Sequence, residues 1–267
     1  MSLTVAIVNY NSRELMISCL QSIVQAGIQL KHEIIVVDNN SCDGSVDTVR
    51  TLFPFVCLLE SKHNLGFGHA VNLAFSHTIS KYLLVLNPDI EVSQDSVDKL
   101  VEYMELHQRI GLCAPRLINP DKTLQYSCRR YYTWKAIILR RTILGSFFPD
   151  HPALRNHLMM DWDHSTACEV DWVLGAAFML RREAIPDGRV MDEQFFLYFE
   201  DVDLCLRLHN AGWKVMYYPE AVMVHHHRRS SARGGWNRAK FEHFKSWVKF
   251  SWKHRHEPLL RRQGITS

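Results

Sequence analysis

Short apolar runs rich in β-branched residues alternate with amphipathic helical patterns from residue 4 to residue 108. The strand candidates are Thr4 to Val8, Glu33 to Val37, Phe55 to Glu60 and Tyr82 to Leu86. Helix candidates follow them near 13–26, 45–53, 67–79 and 94–108, the first opened by Ser12 and the second by Asp43-Gly44-Ser45. A helix between two strands is the crossover that parallel pairing requires, so four βα units in a row predict a parallel sheet with helices on its faces. Such a half suits a nucleotide.

Composition is that of an ordinary folded enzyme, 47% apolar and 22% charged over 267 residues. Seven cysteines at 19, 42, 57, 113, 128, 168 and 205 form no Cys-x-x-Cys pair, which argues against disulfides and structural zinc and for a reducing compartment. The chain opens without a basic leader, and no apolar run approaches the roughly 18 residues that span a bilayer. A cytoplasmic, non-integral protein is expected. The net charge of +3 conceals an asymmetry: residues 225–267 carry 11 Lys/Arg against 2 Asp/Glu, and residues 1–224 carry 20 against 26.

From about 117 to 169, Pro, Asp and His interrupt a basic apolar piece, Trp134 to Gly145, which reads as a mobile insertion. Val170 to Leu180 then reads as a strand, Asp201 to Asn210 as a helix ended by Gly212, and Lys214 to Tyr218 as a strand. Trp236 to His254 is a last helix candidate. No repeat or low-complexity linker marks a domain boundary.

Ligands of open α/β sheets bind beyond the carboxyl ends of the strands. The residues found there are Asn9-Tyr10-Asn11-Ser12, Asp38-Asn39-Asn40-Ser41-Cys42-Asp43-Gly44-Ser45, Asn64-Leu65-Gly66-Phe67-Gly68-His69-Ala70-Val71-Asn72 and Asn87-Pro88-Asp89. Asp38 can accept hydrogen bonds from a base or ribose, or close an Asx-turn. Gly66 and Gly68 can admit a phosphate to a helix N-terminus, or form a tight turn. Further on, Glu200, Asp201 and Asp203 crowd the opening of a helix, with Asp203 and Arg207 spaced as an i,i+4 pair. These acids either complement the helix dipole or supply a general base.

Together with Phe199-Glu-Asp-Val-Asp-Leu-Cys-Leu-Arg207, these motifs in this order resemble family 2 glycosyltransferases, over roughly residues 3–227 and most closely the rhamnosyltransferase-like branch. The resemblance implies a GT-A fold: an α/β architecture with a mostly parallel central sheet flanked by helices, here with a C-terminal helical extension. It implies a domain over 1–227, divided into a nucleotide-binding half (1–116) and an acceptor and catalytic half (117–227), followed by a basic aromatic tail (228–267). It implies an inverting transfer of a sugar, with rhamnose a candidate, from a nucleotide-diphosphate donor to a glycan or lipid-linked glycan. Carried over by position, Asp201 is the general base with Glu200 beside it. Asn9, Tyr10, Asn11, Asp38, Asn64, Gly66, Asn72, Asn87, Trp172 and Gly175 line the nucleotide and donor, and Asp89 with His225 holds a divalent metal, Mn2+ or Mg2+. Asn87 stands where relatives often have the first acid of Asp-x-Asp, which removes one charge, but a single carboxylate suffices beside substrate phosphates. A neutral imidazole at His225 suits Mn2+ better than Mg2+. His227 fits a solvated basic turn.

Two other classes compete: a nucleotide-sugar or nucleic-acid binding module without catalysis, and another α/β enzyme such as a nucleotidyltransferase. A binder has no need of Glu200 and Asp201, and Asn9 to Ser12 lacks the Gly and Lys of a nucleotidyltransferase loop. No nucleic-acid motif accompanies the basic tail. In that tail, Phe241, Phe244, Val248 and Trp252 share one helical stripe among lysines and arginines. That pattern suits either packing on the core or peripheral contact with the anionic inner face of a membrane.

Overall fold

The computed structural model describes residues 2–131, 133, 136, 139, 150–226 and 238–255. The apart-standing stretch Trp134 to Gly145 lies outside them save for Ala136 and Leu139, as do His227 and Trp236. Four strands, β1 (Leu3–Asn9), β2 (His32–Asp38), β3 (Cys57–Glu60) and β4 (Tyr82–Leu86), pair in parallel in the order β3-β2-β1-β4. They alternate with α1 (Arg13–Ala26), α2 (Ser45–Leu52) and α3 (Phe67–Ser76), as the sequence pattern predicts. A short β5 (Ile90–Val92) precedes α4 (Ser96–Leu106).

The remaining elements are β6 (Ile110–Ile118), β7 (Cys128–Arg129), α5 (Pro152–His157), β8 (Cys168–Glu169), β9 (Trp172–Val173), β10 (Ala177–Arg181), α6 (Glu200–Asn210), β11 (Lys214–His225) and α7 (Arg238–Lys253). They extend the sheet to β3-β2-β1-β4-β10-β6-β11-β5, with β8 also on β11 and β7 paired to β9 apart from it. β10 runs antiparallel to both neighbours, and β5 runs antiparallel to β11. The sheet is therefore mixed, with parallel strands in the majority.

The expected strand Val170 to Leu180 is two strands. Leu174 N donates to Ser127 O and Gly175 N to the Asp201 carboxylate, so the backbone between β9 and β10 leaves the ladder for other partners. β11 runs well beyond Tyr218, because a bulge between Tyr218 and Val222 absorbs Pro219 and lets pairing with β6 resume.

Strands buried on both faces read as continuous apolar runs, and their alternate residues divide the core. Leu3, Val5, Ile7, Leu84 and Leu86 meet Met16 and Leu20 of α1 and Leu100 of α4 on one face. Ala6, Val8, Leu83 and Val85 meet Ala70 and Val71 of α3, Leu204 of α6 and Phe250 of α7 on the other. The three-layer arrangement leaves the C-terminal ends of β1, β2 and β4 on one edge.

The tail helix α7 packs on the core through His243, Ser246, Phe250 and His254. Its main anchor is Asp203, which has no exposed surface. One Asp203 oxygen receives Lys253 Nζ at 2.6 Å and His254 Nε2 at 2.7 Å, and the other receives Arg207 Nε at 2.8 Å. Lys253 also reaches Asp192 at 2.6 Å, Lys249 Nζ donates to Gln194 O, and Ser246 Oγ donates to Leu197 O. The tail thus splints residues 192–199 and the start of α6.

Removing the carboxylate strands Arg207, Lys253 and His254, so Asp203→Ala should cost about 3 kcal/mol of stability, read from the urea midpoint. Lys245→Ala, on the outer side of the same helix, should change it by less than about 0.5 kcal/mol. Burial raises the Asp203 pKa, but the hydrogen bond from His254 and the charges of Arg207 and Lys253 outweigh it and hold the group at about 2, against an ordinary 3.8. Its contribution to stability is present above the ordinary value and is lost as pH falls through about 2.

Candidate active site

Parallel register builds the first wall of the site. Asn9 ends β1 directly opposite Asp38 at the end of β2. Asn9 Nδ2 donates to Asp38 Oδ1 at 2.8 Å and to Ser41 Oγ at 3.2 Å, while Ser41 N donates to Asp38 Oδ2 at 2.8 Å. Asp38 therefore closes a turn with its own loop and is nearly sealed from solvent. Asn11, at φ 47°, donates its N–H to Ser41 Oγ and accepts from Cys42 N, so the loops after β1 and β2 are stitched together. Between them, Tyr10 stays half-exposed. Asn9 Oδ1 and Asn39 Oδ1 are buried acceptors with no hydrogen-bond partner among the described residues, a state that costs roughly 1–3 kcal/mol each.

The second wall opens α3. Asn64 Oδ1 accepts from Gly66 N at 3.0 Å, and Asn39 Nδ2 donates to Gly66 O at 3.1 Å. Gly66 is at φ +95°, and a Cβ there would stand 2.5 Å from Phe196 O; a Cβ on Gly68 would stand 3.0 Å from Met191 Cβ. The close approach these glycines permit is made by the 191–196 loop. Asn72 clamps the same loop, donating to Met191 O and Glu193 Oε1 and accepting from Met191 N.

Asn87-Pro88-Asp89 turns sharply after β4, with Ile90 N donating back to Asn87 O at 3.2 Å and proline at the position whose φ it presets. Pairing of β11 with β5 sets His225 opposite Ile90, so the imidazole arrives beside Asp89, and Nε2 lies 3.3 Å from Asp89 Oδ1. The other ring nitrogen faces Gln125 Oε1 at 2.8 Å. Gln125 Nε2 donates to Asn119 Oδ1 and His225 O, which fixes its amide and assigns the ring proton to Nδ1. The Nε2 edge of the ring then confronts a carboxylate oxygen, an arrangement that a shared cation suits.

The third group lies at the N-terminus of α6, after Tyr198 and Phe199, both left-handed at φ 68° and 71°. Asp201 Oδ2 accepts from Gly175 N at 3.1 Å and Oδ1 from Val202 N at 2.8 Å. The next residue, Ala176, accepts from Asn87 N at 2.8 Å, so one short segment ties the acid helix to the Asn87–Asp89 turn. A Cβ on Gly175 would sit 3.5 Å from Phe67 and 3.6 Å from Asp201, ordinary contacts. Burial pushes the Asp201 carboxyl up to about 6 against the pull of its backbone hydrogen bonds and Arg129. Glu200, buried with Oε2 unpartnered among the described residues, is raised well above the usual carboxylate range by burial and then by the Asp201 charge. Burial and the neighbouring charge thus disfavour ionisation at Glu200 more than at Asp201.

Trp172 is buried opposite Arg129 in the β7–β9 pair, its indole N–H donating to Arg130 O. The structure thus joins Asn9, Asn11 and Asp38 in one network, Asp89 and His225 in a second, and Gly175 and Asp201 in a third linked to Asn87. Ser41, from the motif after β2, and the 191–199 loop complete it together with Gln125 and Arg129, and on the last two sequence reasoning had no hold: Gln125 is 100 positions from its partner His225.

The family model for glycosyl transferase family 2 matches residues 4–164. The chain belongs to glycosyltransferase family 2. It is 30% identical over 214 residues to the N-acetylglucosaminyl-diphospho-decaprenol L-rhamnosyltransferase of Mycobacterium tuberculosis, a match covering 75% of this chain and 68% of that protein. It is 28% identical over 194 residues to rhamnosyltransferase WbbL of Escherichia coli, covering 69% of each. The fold is GT-A. GalNAc-T7, solved with UDP, GalNAc and Mn2+, superposes at a TM-score of 0.67 with 14% identity, over 100% of this chain and 55% of that one. The mannosyltransferase PcManGT of Pyrobaculum calidifontis, solved with GDP-Man and Mn2+, superposes at 0.58 with 16% identity, over 98% and 72%. This family 2 glycosyltransferase therefore carries its motifs on a fold shared with distant sugar transferases.

Gly66→Ala and Gly212→Ala separate backbone strain from collision. Both sites have positive φ, but only a methyl at 66 meets protein. The change at 212 should cost about 1 kcal/mol and that at 66 distinctly more, measured by thermal unfolding.

Proposed function

We propose that this glycosyltransferase moves a sugar, with rhamnose the first candidate, from a nucleoside-diphosphate donor to a hydroxyl of a glycan or lipid-linked glycan, with inversion at the anomeric carbon. The observation that carries the reading is the placement of Asp201: a half-buried carboxylate with a pKa raised to about 6, tied through Gly175 and Ala176 to the Asn87–Asp89 turn. A base of that strength is ionised at neutral pH and ready to take a proton. The rhamnosyltransferases named above support the choice of sugar, and the decaprenol in the name of one supports a lipid-linked acceptor.

In this mechanism Asp201 takes the proton of the acceptor hydroxyl as its oxygen bonds to the anomeric carbon, and the bond from that carbon to the diphosphate oxygen breaks with its electron pair on the leaving nucleoside diphosphate. The raised pKa of Glu200 limits the negative charge beside the reaction. Asn9, Tyr10, Asn11 and Asp38 form the base and ribose wall, with Asn64, Gly66 and Asn72 holding the facing loop and Trp172 and Gly175 bordering the sugar. Asp89 and His225 would hold a divalent ion, Mn2+ before Mg2+, and Gln125 would orient the imidazole. No group of three His, Cys, Asp or Glu ligands occurs among the described residues, so phosphate and water oxygens would complete the shell. Such an ion, when bound, neutralises charge on the departing diphosphate. A binding module without catalysis gains nothing from two adjacent acids withdrawn from full solvent, which disfavours that alternative. A nucleotidyltransferase has no supporting feature here.

Asp201→Asn should lower transfer by about 10²-fold or more with nucleotide affinity nearly unchanged, measured by donor turnover and by calorimetry with the nucleoside diphosphate. In the wild type, kcat/KM should rise with pH through about 6, as the base loses its proton; a flat profile across that range, or an active Asn variant, would exclude Asp201 as the base.

Excess EDTA should abolish transfer. Asp89→Ala and His225→Ala should each raise the Mn2+ concentration for half-maximal rate, and Gln125→Leu should raise it by roughly 10-fold through the imidazole it orients. Full activity in EDTA would remove the metal assignment.

A further inference from the structure

The packed face of α7 does not include the stripe of Phe241, Phe244, Val248 and Trp252. His243, Ser246, Phe250 and His254 face inward, while Phe241, Phe244, Val248 and Trp252 are exposed, Trp252 at 71%. At the turn angle of an α-helix these four fall within an arc of about 80°, opposite the buried residues. A helix that has already buried one face has no need of a second apolar one, and a contiguous exposed row of aromatics marks an interaction surface. Its borders are cationic. The Lys245 side chain is 51% exposed, and the Arg255 guanidinium lies 4.6 Å from the centre of the Trp252 ring. They belong to a segment, residues 225–267, with 11 Lys/Arg against 2 Asp/Glu.

We propose that this outer face of α7 docks on an anionic lipid surface, with Phe241, Phe244, Val248 and Trp252 at the headgroup boundary and Lys245 and Arg255 on lipid phosphates. Charge complementarity decides the occupant. Two copies of a basic face repel one another across a dimer interface, whereas an anionic bilayer attracts that face and accepts its aromatics. The helix lies on such a surface and does not cross it, since no helix among the described residues is long and apolar enough to span a membrane. Its inner face meanwhile splints the 192–199 loop and Asp203, so the docked surface and the acids of α6 belong to one rigid unit. The inference rests on the lipid-linked acceptor for its purpose, but its test needs no turnover.

The full chain is sedimented with vesicles of phosphatidylcholine alone or of phosphatidylcholine with phosphatidylglycerol, at low and high salt. The wild type should pellet with the anionic vesicles at low salt and be released by high salt. Lys245→Glu with Arg255→Glu, and separately Phe244→Ser with Trp252→Ser, should each weaken binding about 10-fold or more, with thermal midpoints and transfer to a water-soluble acceptor unchanged. Equal recovery on both vesicle types overturns the proposal, as does unweakened binding by both double variants. A lipid-free dimer abolished by Phe244→Ser with Trp252→Ser also overturns it and assigns the face to a second copy. Vesicle binding without any sugar transfer supports this surface and overturns the proposed function instead.

Discussion

A carboxylate sealed from water must be paired or protonated, and Asp203 is paired three times over. It stands two positions beyond Asp201, in the first turn of α6, so fixing its side chain fixes the roll of that turn and the direction in which Asp201 points. Lys253 carries the same constraint back to Asp192, at the head of the loop leading into the helix. The Phe250 and Phe199 rings, 5.3 Å apart, add a packed contact at the last residue before the acids. The tail helix is thereby tied mechanically to the start of α6.

Much of the remaining site is assembled by main-chain bonds. β1 and β2 deliver Asn9 and Asp38 side by side through parallel register, β5 and β11 deliver Asp89 and His225 through antiparallel register, and residues 174–176 abandon the sheet to link Asp201 with Asn87. Backbone geometry tolerates wide variation in side chains. This accounts for an architecture shared with transferases only 14–16% identical to this chain.

The first four strands and helices were legible because period and punctuation agree there: apolar runs of strand length, then an Asn, Asp or Gly-rich turn, then a 3.6-residue rhythm. Order and direction in the second half were not legible. Nothing in Ala177–Arg181 announces that β10 enters antiparallel beside β4, and a two-residue β9 has no period to read. In the site, the Asp203–Arg207 pair follows from spacing alone, but Lys253 and His254 lie some fifty positions away and could be joined to it only by the fold. The tail shows a different limit. Aromatics occur on both sides of α7, so amphipathic periodicity identifies two faces without saying which is inside, and the inward one is chosen by Phe250, Trp247 at its flank and the buried polar trio around them.

Tyr198 and Phe199 are consecutive bulky residues in the left-handed region, a conformation that costs of order 1–3 kcal/mol for each and persists only where the surroundings impose it. The imposing parts are Phe250 and His243 of α7, whose rings pack on the two aromatics. A glycine at either position would relax the backbone while giving up that ring contact and loosening the aim of Glu200 and Asp201. With Asp201 as the proposed base, selection for a sturdier chain and selection for faster turnover pull in opposite directions at these two residues, which makes them the places where laboratory evolution toward thermal tolerance would be expected to extinguish catalysis first.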